Sequence, residues 1–296
     1  MLTFVALCVV ARFSYSLNDI FIGRMARRYD RVEVAAFRGT SLGVSMAPWL
    51  LLVPADAWRG LGAQAGWLLA TVMVTALANV LQLQAVRFVP FGLRAALMIC
   101  TMAACSLLIG WAVLGERLTP LQVGLCVVLV ASGVAVALGS HAAGEIVIDV
   151  PRGAALTVLA GTLMACAIFG VKRIASETHP LLTAWAWELG SGLVLLGPVL
   201  LGPVLLLRGE PAAPAQPAVT RRFASIGLAA LPTALASGAS VLALDFGELG
   251  LWGALGGTQI LFTAGLGALW HRESLGPRRW LFITIAAIAV AGLALA

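Results

Sequence analysis

Charged and polar side chains stand inside long apolar stretches of this sequence. The first stretch carries four of them at intervals of three or four residues, which places them on one face of a helix: Arg12, Tyr15, Ser16 and Asp19. At the depth of a bilayer such charges usually face the interior of a helix bundle or a wet cavity. Arg12 is therefore either a cationic site for a carboxylate or other anion, or the partner of an acid such as Glu188.

A second polar stripe lies in the third apolar stretch, where hydroxyl and amide side chains again share one helical face: Thr71, Thr75, Asn79 and Gln82. Such groups either bind a polar solute or hydrogen-bond helices to one another, and the two amides favour a cavity wall. We therefore predict a substrate cavity lined by Arg12, Tyr15, Asn18, Asp19, Asn79, Gln82, Thr101, Thr258 and Gln259.

Two further charges lie a turn or so inside apolar stretches, each directly after an aromatic residue. Glu188 is the candidate for proton coupling, because a carboxyl group shielded from water is harder to ionise. Arg38 is interpreted as an anchor at the membrane interface. Asp245 and Glu248 lie in a short connection, where we expect both to be solvated.

The composition indicates that lipid is the solvent. Of 296 residues, 61% are hydrophobic and 11% are charged, whereas an average soluble domain is about 25% charged. The net charge of +6 comes from basic residues at the ends of apolar stretches, with no basic tract interleaved with aromatics, so we expect no nucleic-acid partner. The scattered histidines and cysteines predict no metal site, and no phosphate-binding loop surrounds Lys172. No cofactor is expected.

Ten stretches have the length and apolar character of a membrane-spanning helix, which needs about 20 residues. They are Leu2–Arg24, Val34–Val53, Gly66–Val86, Phe91–Leu114, Leu121–Leu138, Gly153–Ile174, Leu181–Leu206, Phe223–Leu244, Leu251–Trp270 and Arg279–Leu295. They are too long and continuous for the strands of a membrane barrel. The sequence therefore predicts an all-α membrane protein with ten transmembrane helices.

A short pattern occurs twice and divides these helices into two groups. Glu-x-Leu-x-Pro begins at Glu116 and again at Glu273, each time just before the last apolar stretch of a group of five. Proline is tolerated at the first position of a helix, so the pattern is interpreted as a boundary mark at the membrane edge. We predict five-helix repeats at residues 1–139 and 153–296, joined by a linker at 140–152. An odd number of spans per repeat gives the two repeats opposite orientations.

The segment GERLTPLQVGLCVVLVASGVAV closes the first half, and a degenerate copy closes the second. With Gly115-Glu116-Arg117-Leu118-Thr119 as its best motif, the whole chain resembles the EamA branch of the drug/metabolite transporter superfamily. That family usually has a proline in its fourth and ninth spans and Trp-Gly before an Asn in its first. Here Met102 and Gln259 occupy those neighbourhoods, and Asn18 follows Arg12-Phe13-Ser14-Tyr15-Ser16-Leu17.

The resemblance implies a secondary transporter of the bacterial inner membrane that exports a small polar metabolite, such as an amino acid or derivative. Alternating access between the two halves would carry the solute, and no enzyme activity is expected. Its partners would be the substrate and the lipid bilayer, with the protein itself a monomer or weak homodimer. The alternatives are import of a metabolite or cofactor precursor, or a membrane-embedded enzyme or sensor.

Two kinds of sequence evidence disagree on the membrane orientation. The resemblance implies that both termini are cytoplasmic, and we adopt this orientation. The connections that would then lie inside hold only Arg59, Arg117, Lys172 and Arg173, while most other arginines would lie outside. The positive-inside rule favours the reverse orientation.

Overall fold

The computed structural model describes residues 1–89, 91–138, 149–200, 218–271 and 277–295, and the regular structure within these ranges is entirely helical. The α-helices are α1 (Leu2–Arg28), α2 (Arg31–Met46), α3 (Ala57–Ala63), α4 (Ala65–Ala85), α5 (Phe91–Ala112), α6 (Pro120–Leu138), α7 (Val150–Glu177), α8 (Pro180–Leu200), α9 (Val219–Phe246), α10 (Leu249–Leu255), α11 (Gly257–His271) and α12 (Pro277–Leu295). A short 3₁₀ helix, Ala47–Leu52, follows α2.

Local sequence signals set several of these helix ends. Asp30 caps α2, because its carboxylate accepts hydrogen bonds from the backbone N–H groups of Val32 (2.9 Å) and Glu33 (3.2 Å). Thr119 and Gln122 form a reciprocal capping box at the start of α6, at 2.9 and 3.2 Å. As predicted, α6 and α12 each begin at the proline of the repeated pattern.

The helices are those of a multi-pass membrane protein. Four of them contain stretches long and apolar enough to cross a membrane: Leu2–Ala26, Ala65–Ala85, Val150–Glu177 and Val219–Phe246. Shorter apolar stretches lie in α5, α6 and α12. Many large apolar side chains face outwards, among them Leu69, Leu235 and Ile288, each more than half exposed. Lipid, rather than water, accommodates such a surface.

The predicted stretches correspond to helices, with two differences inside them. The second stretch leaves the α-helix after Met46 and ends in the 3₁₀ helix, and the unpredicted short α3 follows it. The ninth stretch is interrupted at Gly256, which separates α10 from α11. Residues 201–206 of the seventh stretch and Glu273 of the repeated pattern lie outside the described residues.

Helices from the first part of the chain pack mainly on helices from the second. α1 lies along α9 and α11, α2 along α8, α4 and α5 along α7, and α6 along α12. The backbones of α2 and α8 approach closely, since a Cβ atom on Gly39 would stand 2.6 Å from the backbone nitrogen of Gly192. Small residues at such crossings let two backbones touch. The interleaved packing places one cavity between the two groups of helices.

Candidate solute-binding cavity

A cavity of about 110 Å³ lies between α1, α2, α4, α5, α7, α8, α10 and α11. Eight of the ten residues singled out from the sequence line it: Arg12, Tyr15, Asn18, Asp19, Asn79, Gln82, Glu188 and Gln259. The polar faces of α1 and α4 meet there because each helix turns its apolar side outwards to lipid or to its neighbours.

Thr101 and Thr258 are not among the lining residues of this cavity. The hydroxyl of Thr258 donates a 2.7 Å hydrogen bond to the carbonyl of Leu255, next to the break between α10 and α11. Thr101 packs against Gly161 of α7, where an added Cβ would lie 3.0 Å from the Cβ of Thr101. Both threonines thus make contacts within or between helices, and their place on a solute-binding wall stays a prediction.

Arg12 is nearly fully buried in the cavity wall, with 2% of its surface exposed. One terminal nitrogen donates a 3.0 Å hydrogen bond to the carbonyl of Trp252, and the guanidinium carbon lies 4.0 Å from the centroid of the Trp252 ring. Its Nε–H has no hydrogen-bond partner within the described part of the chain. The pairing with Glu188 that the sequence left open is not found, because Glu188 is bound elsewhere.

Glu188 lies at the centre of a polar chain that links four helices. Its Oε1 stands 3.7 Å from Arg38 of α2 and accepts a 2.5 Å hydrogen bond from Ser237 of α9. The Ser237 hydroxyl lies 3.3 Å from the hydroxyl of Tyr15 on α1. Arg38 lines the cavity and is mostly buried, so its interpretation as an interface anchor is wrong. Arg38 can lie in the cavity wall because Glu188 on the facing helix α8 balances its charge.

A second ion pair lies across the cavity wall, between Asp19 and Arg94, at 3.8 Å. Gln259 also donates a 2.9 Å hydrogen bond to Asp19. Sequence reasoning missed Arg94, because an arginine one turn inside an apolar stretch resembles an ordinary boundary charge. Trp187 also lines the cavity, and it donates a 2.7 Å hydrogen bond to Thr75.

Glu116, the conspicuous residue of the repeated pattern, holds together segments that are distant in sequence. Its carboxylate accepts hydrogen bonds from Lys172 Nζ (2.8 Å) and from the backbone N–H groups of Leu249 (2.7 Å) and Gly250 (3.0 Å). Lys172 also donates to the carbonyl of Gly247 at 2.9 Å. We call this cluster of five residues the latch.

Two local features allow the latch to form. Gly115 has φ = +67°, a conformation that glycine adopts without a steric penalty, and it turns the chain back so that Glu116 points at the start of α10. The negative carboxylate meets the first N–H groups of that helix, which are positively polarised. The sequence assigned Glu116 a boundary role; the structure adds specific bonds to the second half of the chain.

Glu248 lies beside the latch, and its predicted solvation is corrected. Its Oε2 is buried without a hydrogen-bond partner in the described part of the chain. Burial raises the pKa of this carboxyl, and the nearby charge of Glu116 raises it further, while Lys172 opposes the change. Asp245 lies in the last turn of α9 rather than in the connection, and it is exposed as expected.

The helices and the cavity together define the class of the protein. Apolar helices that face lipid enclose a cavity with charged walls, which is the architecture of a membrane transporter. In the described ranges, no group of three or more His, Cys, Asp or Glu side chains could hold a metal ion.

Comparison with known proteins gives the family. The EamA-like transporter family model matches residues 2–139 and 151–295, and the chain belongs to this family. It is therefore a membrane transporter of the drug/metabolite transporter type. A solved structure titled only "Crystal structure of protein" aligns over 99% of this chain and 94% of its own, with a TM-score of 0.69 and 14% sequence identity. That likeness shows the fold alone. The comparison with curated proteins gives no match.

Proposed function

We propose that this protein is a secondary transporter that exports a small polar metabolite, of the size of an amino acid, across the bacterial inner membrane. The observation that carries the proposal is a buried cavity whose polar atoms are incompletely satisfied. Arg12 Nε, Asn18 Oδ1 and Glu188 Oε2 are all buried without a hydrogen-bond partner among the described residues. Buried polar atoms normally find partners, and a solute in the cavity would supply them.

We further propose ten membrane crossings arranged as inverted halves, at residues 1–139 and 153–296. The packing of helices across the two parts of the chain supports this arrangement. Two-residue connections such as that between α1 and α2 make sequential helices antiparallel. Exchange between two packings of the halves would give alternating access.

With this topology, the cavity opens towards the membrane face where α1 ends. Part of its lining comes from the later parts of α1 and α4 and the early parts of α2 and α5, which meet at that face, and the rest comes from α7, α8, α10 and α11. The latch lies at the opposite face, where α5 ends and α10 begins. If both termini are cytoplasmic, this arrangement is an outward-open state. Glu188, which contacts Arg38 and Ser237, is the proposed proton-coupling residue.

The function is tested first by comparing metabolites in the medium of cells that overproduce the protein with those of cells that lack it. A solute that accumulates only on overproduction would then be loaded into proteoliposomes and its efflux measured. Gln82→Ala, at the cavity wall, should slow that efflux, whereas Arg278→Ala, on the exposed start of α12, should not. Equal efflux from Gln82→Ala and wild type would remove the cavity assignment. Uptake in place of efflux would reverse the direction, and a pH-gradient effect that survives in Glu188→Gln would exclude its coupling role.

A further inference from the structure

We propose that the transported solute is a small monoanion whose carboxylate binds the guanidinium of Arg12. This inference rests on the proposed function and adds the chemical class of the substrate. Three observations carry it: the balance of charges in the cavity wall, the unpartnered Nε–H of Arg12 and the size of the cavity.

The charges that line the cavity do not balance. Arg38 pairs with Glu188 at 3.7 Å, and Arg94 pairs with Asp19 at 3.8 Å. Arg12 remains, and no carboxylate in the described part of the chain lies within ion-pair distance of it. An unbalanced guanidinium within a lipid-surrounded bundle is costly unless an anion joins it. A solute with one negative charge would make the occupied cavity neutral, whereas a zwitterion would leave the excess positive charge in place.

The geometry of Arg12 suits a carboxylate in particular. The Trp252 ring covers one face of the guanidinium, and the Trp252 carbonyl accepts from only one terminal nitrogen. The Nε–H is left without a protein partner. Carboxylates form strong, charge-assisted hydrogen bonds with guanidinium N–H groups. Because the ring and the carbonyl fix the plane of the guanidinium, this Nε–H is already oriented to donate to a carboxylate oxygen.

Two buried acceptor atoms of the wall indicate which further groups the solute carries. Asn18 Oδ1 and Glu188 Oε2 are hydrogen-bond acceptors, both buried in residues of the cavity wall and both without a donor. They favour a solute that carries a hydroxyl or N–H group in addition to its carboxylate. A cavity needs roughly 10–15 Å³ of such space to hold one water molecule. The volume of about 110 Å³ therefore admits a solute of roughly seven to eleven non-hydrogen atoms.

The test compares acids with their amides, which have nearly the same size and hydrogen-bonding groups but no charge. Calorimetric titration of the purified full-length protein in detergent would use lactate and lactamide, 4-hydroxybutyrate and its amide, and 4-hydroxybenzoate and its amide, with alanine as the zwitterion. At least one acid should bind ten or more times as tightly as its amide. Arg12→Gln should weaken that acid at least tenfold and leave the amide within twofold.

Two further variants keep the test sharp. Arg12→Lys, which retains the charge but not the planar fork, should keep an intermediate affinity for the acid. Arg278→Gln removes an exposed positive charge outside the cavity and should bind like wild type. If Arg12→Gln does not fold, the wild-type preference for acids and the Arg12→Lys result decide the matter.

Several results would overturn the inference. One is that no acid in the set binds more tightly than its amide; another is that alanine binds more tightly than every acid. A third is that Arg12→Gln binds the acid as wild type does. If an amide or a zwitterion is nevertheless transported in proteoliposomes, the transporter function stands and only the substrate class fails. If acids bind through Arg12 but no solute crosses the membrane, the proposed function fails instead.

Discussion

Replacing Glu116 with glutamine should open the membrane face that the latch closes. The substitution preserves size and one acceptor oxygen, but it removes the charge that Lys172 and the start of α10 both bind. The carboxylate accepts three hydrogen bonds, from Lys172 and from the backbone of Leu249 and Gly250. Glutamine can accept only through its single oxygen, so at least one of these donors loses its partner.

The size of the effect follows from the exposure of the partners. A hydrogen bond to a charged group contributes about 1.5–3 kcal/mol. The Glu116 side chain is 9% exposed and that of Lys172 is 22% exposed, so water screens the pair in part. We therefore take about 2 kcal/mol for the loss, which corresponds to a change of roughly 30-fold in the equilibrium between closed and open latch.

Chemical labelling of a buried position behind the latch would measure this change. Ser106 on α5 is completely buried, one helical turn after the cavity residue Met102 and one turn before Gly110, which touches Glu116. Ser106→Cys, in a protein whose five native cysteines are replaced, would react with a membrane-impermeant maleimide added to either side of oriented vesicles. Glu116→Gln should raise the labelling rate roughly 30-fold from the latch face, in proportion to the open population.

The protein offers a matched control at the opposite face. Glu33 and Arg222 form an ion pair of 2.7 Å between α2 and α9, also joining the two parts of the chain. Glu33→Gln should not increase labelling from the latch face. Equal labelling of Glu116→Gln and the parent protein would refute the latch, and an equal increase in both variants would show general loosening of the helices instead.

Three other predictions concern the crossing of α2 with α8, the acid beside the latch, and the cavity ion pair. Gly39→Ala should destabilise the protein by about 1–3 kcal/mol in thermal unfolding, because its new methyl group meets the backbone of α8, whereas Gly62→Ala, with open space around it, should not. Since the raised pKa of Glu248 means that its ionised form is disfavoured beside the closed latch, ionisation of Glu248 should loosen the latch as the pH rises through that pKa. Glu248→Gln should flatten this pH dependence in the labelling assay, and an unchanged profile would contradict it. Arg38→Gln should destabilise more than the double variant Arg38→Gln/Glu188→Gln, since the single change leaves a buried carboxylate unpaired; additive effects would deny the pairing.

Periodicity explains what the sequence could predict. The polar stripes of α1 and α4 recur at helical spacing, so a reader of the sequence can place Asn79 and Asp19 on inward faces without knowing the partners. The break at Gly256 had no such signal, since glycines are frequent throughout the chain. Thr101 and Thr258 lie outside the lining of this cavity, because a threonine in a membrane helix satisfies backbone or packing contacts as readily as it faces a cavity.

The roles of charges near helix ends could not be assigned from the sequence. A residue that anchors a helix at the membrane interface and a residue that forms a buried ion pair both stand about a turn inside an apolar stretch. Arg38 and Arg94 both stand about a turn inside apolar stretches, where arginine commonly anchors a helix at the interface. Their acids lie on other helices, at positions distant in sequence. The same reason hides the partner of Glu116, since only the packing of α7 on α4 and α5 brings Lys172 to it.

The Arg38–Glu188 ion pair also bears on how such a chain could arise by duplication. Arg38 follows Phe37 in the second helix of one proposed half, and Glu188 follows Trp187 in the second helix of the other. Identical halves related by a twofold axis would bring each residue to its own counterpart, so an ancestral homodimer would oppose two arginines or two glutamates here. Complementary charges at this contact require two separately encoded copies. Fusion and divergence of the copies would therefore have replaced the repulsion between like charges by the attraction between Arg38 and Glu188. Each half would then pack on the other half and no longer on a copy of itself.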